Sequence, residues 1–490
     1  MKLSLVGRGE EIGDLEQLFN SNKPEFLALY GRRRIGKTFL IRQFFRGKEC
    51  VFFNVTGTKD GSLIEQLDHF IIQVGKIFYG GAKLMPVKNW DKAFEVLTHG
   101  MGQVPENKKI ILFFDELPWM VTKNSKLLQR VDYYWNQYWS DDNRLKLIIC
   151  GSSASWIINK IIKNKGGLHN RITKKMLLEP FKLPDTKRFL ASQGIKINNR
   201  QILLIYMVTG GVPYYLSQIE KGLSAAQAIE KLAFTKKAFL LEEFDNLFAS
   251  LFNDGDTYKQ IVKLIGKRRY GIGKRELLAL MGKSMMGEGG IKKLKELEET
   301  GFIMSFKPLY HKRQGVYYRL VDEYTLFYLK WIEPLRDPLQ EESLEKGSWQ
   351  AMQNTPEWFS WLGYAFEAVC YKHISAIRKA LSINLNATAC SWRYSPRKGS
   401  EASGAQIDLL FDRKDDTITL CEIKYSDEPY LLTKDYVEVL HRKIEVFKNQ
   451  TGTKKQILMS LIASSGIKNN YYVEDMFSRI ATLDDLFKES

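Results

Sequence analysis

The first third of the chain alternates short, continuous apolar runs with stretches of helical spacing. Phe26-Leu27-Ala28-Leu29-Tyr30 ends at a glycine and is followed by a helical pattern from Lys37 to Phe45. Val51-Phe52-Phe53-Asn54-Val55 is a second run, with helical stretches near 60–78 and 90–101 after it. Ile110-Ile111-Leu112-Phe113-Phe114 is a third, then a helix near 124–139, then Leu145-Lys146-Leu147-Ile148-Ile149-Cys150. A sheet wetted on one face would show apolar–polar alternation. These runs do not, so they predict an α/β fold with a parallel sheet covered by helices on both faces.

The pattern changes twice downstream. From about 181 to 250, leucine, isoleucine and alanine recur at helical spacing, broken by Gly210-Gly211 and Pro213. From 256 a helix capped by Asp256, a short helix from Glu276 to Met281 and a third from Gly290 to Gly301 precede strand-like runs at 302–306 and 316–321. Three helices and a hairpin predict a winged helix, and mixed helix and strand follow from about 340. The expected domains are thus 1–180 (α/β core), 181–255 (helical), 256–340 (winged helix) and 341–490 (a second α/β domain).

Composition narrows the function. The chain has 490 residues and a net charge of +17, which points to an acidic partner, with nucleic acid foremost. The five cysteines are scattered without a CxxC pair, against a disulfide framework or a cysteine zinc site. No run approaches the length of a membrane span, and Arg8 and Glu10-Glu11 arrive too early for a signal peptide. A cytoplasmic protein is expected, with no membrane partner.

Gly31-Arg32-Arg33-Arg34-Ile35-Gly36-Lys37-Thr38 fits the phosphate-cradling pattern GxxxxGK[ST]. Backbone amides and a helix N-terminus hold the anion, and Gly36 lets the chain approach it. Lys37 neutralises the outer phosphates, and the Thr38 hydroxyl binds magnesium. Gly31, Arg34, Gly36, Lys37 and Thr38 are therefore expected to contact ATP with Mg2+. Asp115 and Glu116 end the third strand, where side chains face the ligand crevice. Asp115 is expected to hold the magnesium, and Glu116 to act as general base on the attacking water. Ser152, after the fourth strand, is either a γ-phosphate sensor or part of a Gly-Ser turn.

The arginine-rich loop, Phe113-Phe114-Asp115-Glu116 and Cys150-Gly151-Ser152-Ser153 resemble the archaeal-type ATPase family, in the AAA+ and STAND-like branch of P-loop ATPases. Val6-Gly7-Arg8-Gly9-Glu10 resembles its opening motif, and Thr209-Gly210-Gly211-Val212-Pro213-Tyr214 the motif of its helical lid. The resemblance covers roughly 1–250. It implies ATP hydrolysis and makes Arg171, in Leu168-His169-Asn170-Arg171, the arginine-finger candidate. A homo-oligomer or a protein partner is possible on this reading.

The winged helix carries Lys292, Lys293 and Lys295 opposite the apolar face of its third helix, with Arg268-Arg269 and Lys312-Arg313 at its edges. These cations suit DNA phosphates, or form a solvated face on an interaction module. Near the C-terminus, Asp408 lies in one strand, and Glu422 and Lys424 lie two apart in the next, on one face. Two carboxylates suit magnesium, and the lysine suits orienting a water for phosphodiester hydrolysis. The arrangement resembles the PD-(D/E)xK nuclease fold over roughly 350–465. Gly363-Tyr364-Ala365-Phe366-Glu367 resembles its first helix, which implies Glu367 as a further metal ligand. Two readings remain at this point: an ATPase coupled to a metal-dependent DNA nuclease, or an ATP-dependent switch that binds DNA or a protein without cutting.

Overall fold

The computed structural model describes residues 5–163, 167–252, 254–307, 309, 315–341, 347–394, 396 and 404–488. The chain divides into two compact units, 1–180 with 249–253, and 181–248 with 254–490. No helix among the described residues is long and apolar enough to cross a membrane.

The first unit is built on a five-stranded sheet: β1 (Glu25–Tyr30), β2 (Cys50–Thr56), β3 (Lys109–Asp115), β4 (Leu145–Gly151) and β5 (Lys174–Leu177), in the order β2-β3-β4-β1-β5. Every pairing is parallel. β3 shows why its apolar run is unbroken. Ile110, Leu112 and Phe114 enter one core with Phe70, Trp90, Phe94 and Trp135. Ile111 and Phe113 enter the opposite core with Leu15, Leu40 and Ile41. Period two sends alternate residues to two faces, and both faces are covered by helices. Helices Gly9–Asn20 and Lys37–Phe45 cover one, and Leu63–Phe78, Trp90–Gly102 and Leu127–Gln137 the other. The Leu63–Phe78 helix starts sharply because Ser62 and Glu65 form a reciprocal capping box.

In the second unit, residues 181–248 are helical, including Leu183–Ser192, Asn199–Thr209 and Ala225–Ala233. The glycine pair 210–211 has a steric reason. Both residues have positive φ, and a Cβ at Gly211 would lie 2.0 Å from the Phe181 carbonyl oxygen. Pro213 then opens the next short helix.

Three helices, Gly255–Gly266, Lys274–Leu280 and Glu288–Glu299, follow with β6 (Ile272–Gly273), β7 (Ile303–Phe306) and β8 (Tyr317–Leu320). The sheet order is β6-β8-β7. Asp256 does not cap its helix, which begins one residue earlier. It pairs with Lys259 at 2.8 Å instead. The predicted basic tip at Lys312-Arg313 lies outside the described residues.

The C-terminal part runs from helix Pro356–Lys372 through β9 (Thr388–Tyr394), β10 (Ala405–Asp412), β11 (Thr417–Lys424) and helix Lys434–Thr451 to β13 (Gln456–Ala463) and β15 (Arg479–Thr482). β9, β10 and β11 are antiparallel, and β13 and β15 continue parallel to β11. A small parallel pair, β12 (Tyr430–Leu431) and β14 (Ile467–Lys468), lies outside this sheet.

His373 ties two of these segments together within the second unit. Its Nε2 accepts the Leu183 backbone N–H at 3.1 Å, so its Nδ1 carries the proton and donates to the Val369 carbonyl at 2.8 Å. Burial pushes its pKa down to about 4, against the pull of the Val369 carbonyl. The neutral ring therefore contributes stability above its ordinary value of 6.5, and that stability is lost as pH falls from 6.5 toward 4. The shift corresponds to about 3 kcal/mol. Acid titration of the thermal midpoint should show a fall across this window in the wild type and a flatter curve in His373→Gln. Equal slopes would remove His373 as the cause.

Candidate functional site

The C-terminal ends of β1, β3 and β4 bring the N-terminal candidates together. β1 ends at Tyr30 and the loop turns into helix Lys37–Phe45. Gly31 and Gly36 are required for different reasons. A Cβ on Gly31 would sit 2.2 Å from the Leu178 carbonyl oxygen, whereas Gly36 has open space but a φ of +90°. Arg34 also has a left-handed φ of 70°. Lys37 is buried and folds back onto its own loop, donating to the carbonyls of Gly31 at 2.8 Å and Arg32 at 2.9 Å. Burial lowers its pKa, opposed by Cys150, Glu116 and Asp115. The loop is anchored from outside by Arg8, whose Nη2 donates to the Ile35 carbonyl at 3.1 Å.

The Thr38 hydroxyl lies 3.1 and 2.9 Å from the two carboxylate oxygens of Asp115, with the Thr56 hydroxyl 3.5 Å from Asp115 Oδ2. This is a hard oxygen donor set of the kind magnesium takes. Glu116 has a φ of +49°, a strained conformation for a side chain of its size. Its carboxylate is turned to β4, where Oε2 accepts both the Ser152 N–H and the Ser152 hydroxyl at 2.9 Å. Gly57 makes the bend possible, since a Cβ there would meet the Glu116 carbonyl at 2.6 Å. Ser152 is thus a partner of Glu116, a link that spacing along the chain does not reveal. Arg171 is half-exposed, with its Nε 3.9 Å from Asp132.

In the second unit, Lys424 Nζ is 3.2 Å from Glu422 Oε1, as their period-two spacing requires. Two partners were not visible in sequence. Lys443, on helix Lys434–Thr451, contacts Glu422 Oε2 at 2.8 Å, and the Tyr436 hydroxyl donates to Oε1 at 2.5 Å. Burial raises the Glu422 pKa, but Lys443, Lys424 and Tyr436 outweigh it and hold the group below its ordinary value. Asp408 accepts from Gln406, and burial beside Glu422 raises its pKa. Glu367 is raised to about 8 by burial and by Asp408. Arg269, between helix Gly255–Gly266 and β6, lies against it, with Nη2 3.1 Å from Glu367 Oε1.

Glu367 and Glu422 each interact with Asp408, but the three expected metal ligands do not form a close group. Among the described residues, no three His, Cys, Asp or Glu side chains stand close enough to hold a metal ion. Arg269 lies against Glu367, and Lys424 and Lys443 against Glu422. The cations of the three-helix segment 255–299 are partly neutralised too. Lys293 is paired with Asp254 at 2.8 Å, and Arg268 with Glu276 at 3.4 Å. Lys292 and Lys295 remain exposed on the third helix.

Residues 5–219 match the profile of an ATPase domain found predominantly in Archaea. An uncharacterised protein of Methanocaldococcus jannaschii is 26% identical over 449 residues, covering 89% of this chain and 91% of its own. An uncharacterised ATP-binding protein of the same organism is 50% identical over 44 residues, 9% of this chain and 75% of its own. Among solved structures, a Walker-type ATPase of Pyrococcus abyssi is 19% identical with a TM-score of 0.48, over 66% of this chain and 96% of that one.

Proposed function

With an archaeal-type ATPase domain over residues 5–219, this chain is, we propose, an ATP-hydrolysing switch whose second unit engages DNA. The observation that carries the reading is the continuous set Thr38–Asp115–Glu116–Ser152 at the end of a parallel sheet, beside a buried lysine in a phosphate loop. Gly31, Arg34 and Gly36 shape the loop whose amides hold the phosphates, and Lys37 leaves its two backbone carbonyls for the β- and γ-phosphates. Thr38 and Asp115 would hold magnesium, which neutralises phosphate charge when bound. Glu116 orients and deprotonates the attacking water once its carboxylate turns away from Ser152. Ser152 therefore acts on the base through its position. Arg171, half-exposed beside Asp132, is the residue this reading offers to a neighbouring copy as an arginine finger.

Turnover should require magnesium: chelation with EDTA should abolish phosphate release, and Asp115→Asn should raise the magnesium concentration needed for half-maximal rate. Full activity in EDTA would remove the metal from the mechanism.

The arrangement at Glu367, Asp408 and Glu422 favours the non-cleaving form of the switch. The topology from helix Pro356–Lys372 to β13 supports a PD-(D/E)xK-like domain. Its carboxylates, however, are engaged by Arg269, Gln406, Lys424 and Lys443. No step through a metal follows from that donor set. Supercoiled plasmid incubated with magnesium or manganese, with and without ATP, should stay intact. Nicking that disappears in Asp408→Ala would replace this reading with the nuclease.

A further inference from the structure

A cavity of about 460 Å³ lies inside the second unit, walled by the winged helix on one side and by β9, β10 and helix Pro356–Lys372 on the other. Glu367 and Asp408 lie in its wall, with three arginines: Arg269 and Arg319 from the winged helix and Arg393 from β9. The guanidiniums are layered on aromatic rings. Arg319 lies 4.0 Å from the Phe306 ring centre and 4.3 Å from that of Tyr371, and Arg393 lies 4.6 Å from that of Tyr270. Arg319 is held in place by a 2.7 Å bond from Nη2 to the Ser391 hydroxyl, while its buried Nε has no hydrogen-bond partner.

Three guanidiniums against two carboxylates favour an anion. Flat rings and guanidinium planes favour a base, because both faces of a nucleobase stack on such surfaces. The volume lies within the range of small-ligand pockets, about 300–1,000 Å³, so it admits a nucleotide and excludes a duplex. A second, larger hollow shares Arg269 and is lined by Lys267 and Trp361, with Lys263 and Lys330 paired there to Glu333 and Glu357.

We infer that this cavity receives the single-stranded end of a nucleic acid, its phosphate taken by Arg269 and Arg393 and its base stacked on the arginine–aromatic layers. The inference deepens the reading of the second unit as nucleic-acid-directed and rests on it. In the free protein Arg269 is held by Glu367, with the Arg269 side chain still 43% exposed. The carboxylate and the phosphate therefore compete for the same guanidinium. This competition sets opposite signs for two substitutions, which a purely structural ion pair would not do.

The test uses the full chain in EDTA without ATP, so that neither hydrolysis nor metal-dependent cutting enters. Fluorescence anisotropy would follow binding of short oligothymidylate and oligouridylate, each with and without a terminal phosphate, and a blunt duplex. Single strands should bind at least about tenfold tighter than the duplex, with affinity falling as salt rises. Preference between the DNA and RNA arms identifies the natural strand. Arg393→Ala and Arg269→Ala should each weaken binding about tenfold, whereas Glu367→Gln should strengthen it about threefold. Equal duplex binding, or Arg269→Ala and Glu367→Gln shifting affinity in the same direction, would overturn the proposal. So would displacement of the oligonucleotide by an acidic peptide at equal charge. If binding follows the expected pattern while the plasmid or ATPase assays fail, the cavity stands and the switch reading falls. If no nucleic acid binds anywhere on the protein, both fall together.

Discussion

Lys37→Ala is expected to weaken ATP binding at least about 100-fold, enough to leave the protein nucleotide-free at micromolar ATP. The lysine is buried, as is Arg32 of the same loop, and it donates in the free protein to two backbone carbonyls, of Gly31 and Arg32. Exchanging those for phosphate oxygens converts ion–dipole contacts into charge-assisted ones, each worth about 1.5–3 kcal/mol. Losing two such contacts accounts for the expected factor. The substitution also separates binding from folding. In the free protein burial disfavours the Lys37 charge, so removing it should leave the thermal midpoint unchanged or higher while the increase in midpoint caused by ATP disappears. Calorimetric titration with ATP measures the first effect and a thermal scan the second. Affinity within threefold of wild type would show that this loop is not the nucleotide site.

Glu116→Gln is expected to lower kcat about 10²–10⁴-fold with ATP affinity retained. Glutamine keeps the shape of the side chain and an oxygen that can accept from Ser152, so the strained turn at Glu116 and the packing of Gly57 beneath it survive. What it cannot do is accept a proton from water. A single-turnover assay separates the chemical step from product release. Unaltered single-turnover rates would mean that Glu116 is not the base, and its left-handed backbone would then need a purely structural reason.

The ATPase core was legible because its signals are local. β1 to β4 are continuous apolar runs, and the loop motif and Asp115-Glu116 each fall at the end of one of them. β5 was not legible, because Lys174 and Lys175 leave only a weak apolar signal in its four residues. The helices and strands of 255–320 were readable from helix spacing and the two strand-like runs, but the fate of their charges was not. Arg269 looked like a phosphate contact and is found on Glu367, a residue about a hundred positions away. The C-terminal acids show the same limit. Period two correctly placed Glu422 beside Lys424. Counting carboxylates could not reveal that Lys443, from a helix beyond the strand, claims Glu422 as well. His373 carried no signal, since a lone histidine near a helix end has no motif.

The strand order has a consequence for biosynthesis. β1 carries the phosphate loop at its end, yet its sheet partners are β4 and β5, with Glu25 opposite Lys146 and Leu27 opposite Lys174. The segment made among the first is thus joined to β3 only through β4, which is made fourth, a long-range closure of the kind that slows folding. Nascent chains halted before Leu145 should hold Gly31–Thr38 with Asp115 and Glu116 and still lack the strand that joins them, so no assembled nucleotide site is present in the early stages of folding.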